Sequence, residues 1–100
     1  MSIRHIVAWR LNATDPDTKR EHARQIAERL LALKGVVPEI EAIEVGGNIA
    51  DPERNWDVAL VSQYADLEAL ARYQVHPEHL KVAAFVGTLV SERASVDFEI

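Results

Sequence analysis

The side chains of this chain best suited to proton transfer near neutral pH are its four histidines and two tyrosines. Three of them crowd into one string, Tyr73-Gln74-Val75-His76-Pro77-Glu78-His79. A neutral imidazole can remove a proton from carbon or oxygen, and a tyrosine hydroxyl can stabilise or protonate the oxygen that gains charge. The chain has no cysteine, which removes disulfides, thiolate metal sites and cysteine nucleophiles from consideration.

His79 falls in the first turn of a helix that Pro77 can begin. The positive end of a helix dipole disfavours imidazolium and biases this ring towards the neutral form a general base requires. A solvent-facing histidine at a helix start is the competing reading. Tyr73 precedes the break. In an unbroken helix it would lie about 120° from His79, six residues at ~100° each, so only a kink between them allows a shared pocket. A buried core tyrosine with a polar tip is its alternative. His5 is the one polar residue among Ile3, Val7, Trp9 and Leu11. It is either a core histidine with one hydrogen-bond partner or a pocket residue. His22, set among Arg20, Glu21 and Arg24, reads as a solvated surface histidine. His76 and His79 have one-turn spacing, but Pro77 separates them and only Glu78 is acidic nearby, so no metal set is expected. His76 is expected to fill the bend or cap the helix that follows.

The elements that must position these groups follow from periodicity. Ile3 to Leu11 alternates as a strand. Asp15 is suited to cap a helix that Pro16 opens. That helix is predicted over 16–34, with Ala23, Ile26, Ala27, Leu30 and Leu33 as its apolar stripe and Gly35 as its stop. A second strand is predicted over 40–45, ended by Gly46-Gly47-Asn48, followed by a loop to Asn55. Trp56 to Tyr64 is apolar on both faces, as suits a central strand covered on two sides. Asp66 caps a helix carrying Leu67, Leu70, Ala71 and Tyr73. The preference of a pre-proline residue against helical backbone breaks it at His76, and Pro77 starts a further piece to about Leu89, with Leu80, Ala83, Ala84, Val86 and Gly87 available for packing. Glu92 to Ile100 closes the chain as a strand with Ala94, Val96, Phe98 and Ile100 on one side. The order β-α-β-β-α-β describes a ferredoxin-like α+β fold. Helices on one sheet face leave the other uncovered, and sheet-to-sheet dimerisation is the economical cover.

One hundred residues suffice for one domain, 1–100. A formal charge of -5, with the arginines of the first helix each beside acidic residues, argues against nucleic acid or an anionic membrane surface. No apolar run approaches the ~20 residues of a membrane span, and the N-terminus lacks a signal-peptide pattern. A cytoplasmic protein is the expectation.

The segments Ile3-Arg4-His5-Ile6-Val7, Val45-Gly46-Gly47-Asn48, Trp56-Asp57-Val58-Ala59-Leu60, Leu67 through His79, and Val96-Asp97-Phe98 resemble the stress-responsive dimeric α/β-barrel (Dabb) family. The similarity spans essentially the whole chain, and Tyr-x-x-His-Pro-x-His is its most specific part. The resemblance implies a protomer whose sheet packs on that of a second copy, forming a barrel. The family includes a plant olivetolic acid cyclase, which closes a polyketide chain by intramolecular aldol condensation without a cofactor. Its site residues correspond here to His5, Tyr73 and His79. The resemblance therefore implies His79 as base, Tyr73 as hydroxyl donor and His5 as a ligand-orienting group. No cofactor is implied, and a small apolar or carbonyl-containing ligand is expected. A non-catalytic or ligand-binding dimer with structural histidines is the alternative. Arg54, Trp56 and Phe85 are the residues expected to alter the pocket.

Overall fold

A computed structural model describes the chain from Met1 to Ile100. Strand β1 spans Ile3–Leu11, helix α1 Pro16–Leu31, β2 Ala42–Gly47, β3 Val58–Tyr64, α2 Leu67–Val75, α3 Pro77–Gly87 and β4 Val90–Glu99. The four strands form one sheet in the order β2-β3-β1-β4, with every neighbouring pair antiparallel. This is the expected ferredoxin-like arrangement, with its second helix in two pieces. Seventeen buried hydrophobic residues fill the space between the sheet and the helices.

The alternation along β1 places Ile3, His5, Val7, Trp9 and Leu11 against the helices. On α1, the Asp15 carboxylate accepts from the Thr18 N–H at 2.9 Å, satisfying one of the free donors of the first turn. Ala23, Ile26 and Leu30 are buried, as is Leu33 beyond the helix end. The helix stops at Leu31, three residues before the expected end. Leu33 and Lys34 turn more tightly, their N–H groups reaching the carbonyls of Leu30 and Leu31. Gly35 then takes the left-handed backbone (φ 89°) that reverses the chain.

Strand β2 lies two residues later than expected. Ile40 is drawn into the core before the strand begins, and Gly46 and Gly47 pair with Ala59 and Val58 instead of forming a turn. Gly47 permits this, because a Cβ there would stand 3.0 Å from Ala23 Cβ of α1. Strand β3 begins at Val58, not Trp56.

Ala69, Leu70 and Tyr73 are the buried residues of α2, while Leu67 and Ala71 face water. Val86 alone is fully buried on α3; Leu80, Ala83 and Ala84 are exposed. On the face away from the helices, β4 aligns Ala94, Val96 and Phe98 with Ala8, Ile6 and Arg4 of β1. Val96 is 60% exposed and Phe98 42%. With Ile6 and Ala8 of β1 and the nearby Ala59 and Val61 of β3, Ala94, Val96 and Phe98 make an apolar patch on a sheet face that nothing in the protomer covers. β3 is thus central in the sheet but covered on one side only.

Candidate functional site

His5 sits in the middle of β1, with Ser62 of β3 and Asp97 of β4 as its register partners. It is 4% exposed, and its Nδ1 pairs with Asp97 Oδ1. The carboxylate orients the ring and, with the proton on Nδ1, leaves the Nε2 lone pair free. His5 therefore meets both descriptions open from sequence: a core histidine with one partner, and a side chain bordering a cavity.

That cavity, of about 180 Å³, lies between the sheet and the α2–α3 corner. His5, Val7 and Trp9 of β1, Leu60 of β3 and Val90 and Arg93 of β4 form its sheet side, and Tyr73, His79, Ala83, Val86 and Gly87 its helix side. A closed apolar space of roughly 150 Å³ is enough for benzene, so a single ring or short chain fits. All three residues singled out from sequence line this one cavity.

The bend between α2 and α3 accounts for their meeting. His76 has extended backbone (ψ 133°), and its Nδ1 accepts from the Glu78 N–H at 3.1 Å. It caps α3 as expected. The Tyr73 and His79 rings pack with centroids 4.3 Å apart, and the Tyr73 and His5 centroids are 6.3 Å apart. Tyr64, at the end of β3, packs behind them at 4.9 Å from Tyr73. Tyr64 Oη and Ser62 Oγ are buried on the same face of β3 without a partner at hydrogen-bond geometry.

His79 donates Nδ1–H to the Gln74 carbonyl at 3.0 Å, which leaves the Nε2 lone pair of the neutral ring free. Burial pulls the His79 pKa below its ordinary value; the Gln74 carbonyl opposes this, and the positive fields of His5, Arg93 and His76 add to it. The direction matches the sequence expectation, and desolvation is the leading cause. Burial likewise pushes the Tyr73 and Tyr64 hydroxyls up, so both remain protonated at neutral pH. The site thus sets the His79 imidazole lone pair beside the Tyr73 phenolic donor, the pairing needed for proton transfer, with the His5 lone pair on the sheet side.

Several expectations about the surroundings need correction. Phe85 does not line the cavity; its ring faces α1 and carries the Arg29 guanidinium 3.8 Å from its centroid. Trp56 stacks with Arg10 at 4.8 Å, and Arg54 is exposed beside Asp51. Trp9, Val86, Gly87, Val90 and Arg93 shape the pocket instead. His22 is half-buried, its Nδ1 enclosed without a partner, and is not freely solvated. The sequence pattern of β4 marks only its apolar face; that Asp97 opposes His5 and Arg93 opposes Trp9 depends on register. A larger cleft of about 520 Å³ lies between α1 and the β2–β3 loop. Its cations are already paired, Lys19 with Asp57, Arg20 with Asp17 and Arg24 with Glu21 and Glu28.

No three metal-ligating side chains converge, and no helix is long and apolar enough to cross a membrane. The family model described as "Stress responsive A/B Barrel Domain" matches residues 3–100. An uncharacterized protein of Streptomyces coelicolor is 35% identical over 79 residues, covering 77% of this chain and 78% of that one. A dimeric protein of unknown function with a ferredoxin-like fold from Bacteroides fragilis superposes with a TM-score of 0.88 at 30% identity, over 99% of this chain and 96% of that one. A dimeric ferredoxin-like protein of unknown function from Thermobifida fusca gives 0.83 at 27% identity, over 100% and 92%. A hydroxynitrile lyase from Passiflora edulis, 16% identical over 99% of this chain and 93% of that one with a TM-score of 0.80, shares the fold.

Proposed function

The chain belongs to the stress responsive A/B barrel domain (Dabb) family, and from that premise we propose a cytoplasmic homodimer with one small-molecule pocket per protomer that performs cofactor-independent acid–base chemistry beside a carbonyl. The observation that carries this reading is the convergence of His5, Tyr73 and His79 on one open cavity, with the Nδ1 of His79 tied to Gln74. The apolar, uncovered sheet face and the dimeric relatives from Bacteroides fragilis and Thermobifida fusca support the homodimer.

In the proposed reaction His79 Nε2 takes a proton from the carbon α to a carbonyl. The C–H electron pair moves to the carbonyl oxygen, and the Tyr73 hydroxyl donates a hydrogen bond to the enolate. Attack of that carbon on a second carbonyl of the same molecule forms the new C–C bond, and the second oxygen takes up the proton. His5, held by Asp97, fixes the ligand. Such a polyketide-cyclase-like ring closure needs no redox partner.

The test is exchange of the α-protons of phenylacetone in D₂O followed by NMR. The wild-type protein is expected to accelerate exchange, and His79→Gln to lower the rate on the order of 10²-fold or more. Exchange no faster than in buffer with wild-type protein would remove the acid–base reading. It would favour a non-catalytic ligand-binding dimer, which the Asp97-satisfied His5 and helix-capping His76 also suit.

A further inference from the structure

We propose that Arg93 makes this pocket selective for a small molecule carrying a carboxylate, an inference that rests on the pocket reading above and assigns its ligand class. Arg93 lines the cavity from β4, opposite Trp9. Its guanidinium donates one side-chain hydrogen bond, to Ser95 Oγ at 3.3 Å. Ser95 is the register partner of Val7, so the cation leans along the cavity towards the His5 end. Val7 and His5 are two residues apart, roughly 7 Å along the strand. A ligand of single-ring size can therefore reach Arg93 and the Tyr73–His79 pair at once.

The guanidinium is solvent-exposed and has no carboxylate partner in the protein. Arg10, Arg20, Arg24, Arg54 and Arg72 each have a carboxylate partner. Arg4 bonds to Gln63 and Arg29 lies over Phe85. Arg93 has neither a carboxylate within 4.0 Å nor an aromatic face beneath it; Asp97, two positions beyond Ser95 on β4, is engaged with His5. The remaining polar groups of the cavity, His79 and Tyr73, are held neutral by burial. Arg93 is thus the one lining residue with a fixed charge, set in mostly apolar walls. An anionic head with an apolar body is the ligand that complements it, and a guanidinium pairs a planar carboxylate by two parallel hydrogen bonds.

The experiment is calorimetric titration with phenylacetate and its neutral isostere phenylacetamide. Wild-type protein is expected to bind the carboxylate roughly tenfold more tightly. Arg93→Gln should bring the two to parity, and Arg93→Lys, which keeps the charge but not the paired hydrogen bonds, should keep part of the preference. As a measurement on unmodified protein, the preference should shrink as salt rises. Equal binding of the two probes by the wild type, or an unchanged preference in Arg93→Gln, overturns the carboxylate assignment and leaves the pocket reading standing. Failure of both probes to bind at millimolar concentration removes the pocket reading together with the carboxylate assignment.

Discussion

Tyr73 and His79 belong to different helices, yet their rings pack with centroids 4.3 Å apart. A continuous helix would point them about 120° apart. The pre-proline backbone of His76 redirects the chain, and its imidazole then closes the first turn of α3 by accepting from the Glu78 N–H. The histidine of the string that the proposed chemistry does not use is thus the one that brings the other site residues together.

His76→Ala is expected to cost about 1 kcal/mol through loss of the cap. For a domain of this size that is a fall of roughly 4–8 °C in Tm. Thermal unfolding checks it, and an unchanged Tm would show that the cap contributes nothing.

Tyr73→Phe keeps the ring that packs on His79, Tyr64 and His5 and removes only the hydroxyl. Stability should stay within about 1 kcal/mol of wild type, while α-proton exchange falls on the order of 10²-fold. A variant that unfolds without a selective loss of rate would mark Tyr73 as a core residue alone.

The pH dependence follows from His79. Its pKa unfolded is near 6.5, and burial lowers it in the folded protein. As pH falls from 6.5 towards the folded value, the unfolded chain binds more protons than the native one. The His79 contribution to stability is therefore fully present above about 6.5 and is lost on acidification. Denaturant titrations across this range should show stability rising with pH, with a shallower slope in His79→Gln. An identical slope in the variant would contradict the buried, neutral ring.

Val96 lies opposite Ile6 on the uncovered sheet face. Val96→Glu should leave the protomer folded, since its side chain faces away from the core, and convert a dimer into a species of 11.2 kDa in sedimentation at micromolar concentration. Burying an unpaired carboxylate in an apolar interface costs several kcal/mol. A wild-type protein that sediments as a monomer removes the barrel.

The α1 cap was readable from Asp15-Pro16 because capping chemistry is local. The break at His76-Pro77 was readable because proline restricts the residue before it. The end of α1 and the bounds of β2 were displaced by tertiary contacts, Ile40 seeking the core and Gly47 closing against Ala23. Phe85 and Trp56 were expected at the pocket, but an aromatic residue gives no sign in sequence of which cation it will face.

By itself, then, the sequence determined the element order, the kink, and the candidates His5, Tyr73 and His79. Each of these depends on periodicity, on proline's fixed backbone or on an isolated polar residue in an apolar strand. Tertiary structure alone decided that Asp97 holds His5, that Gln74 holds His79 and that Arg93 enters the same cavity unpaired. The two partners on β4 are set by cross-strand register between strands some ninety residues apart, where a shift of one residue would turn Asp97 and Arg93 to the opposite face.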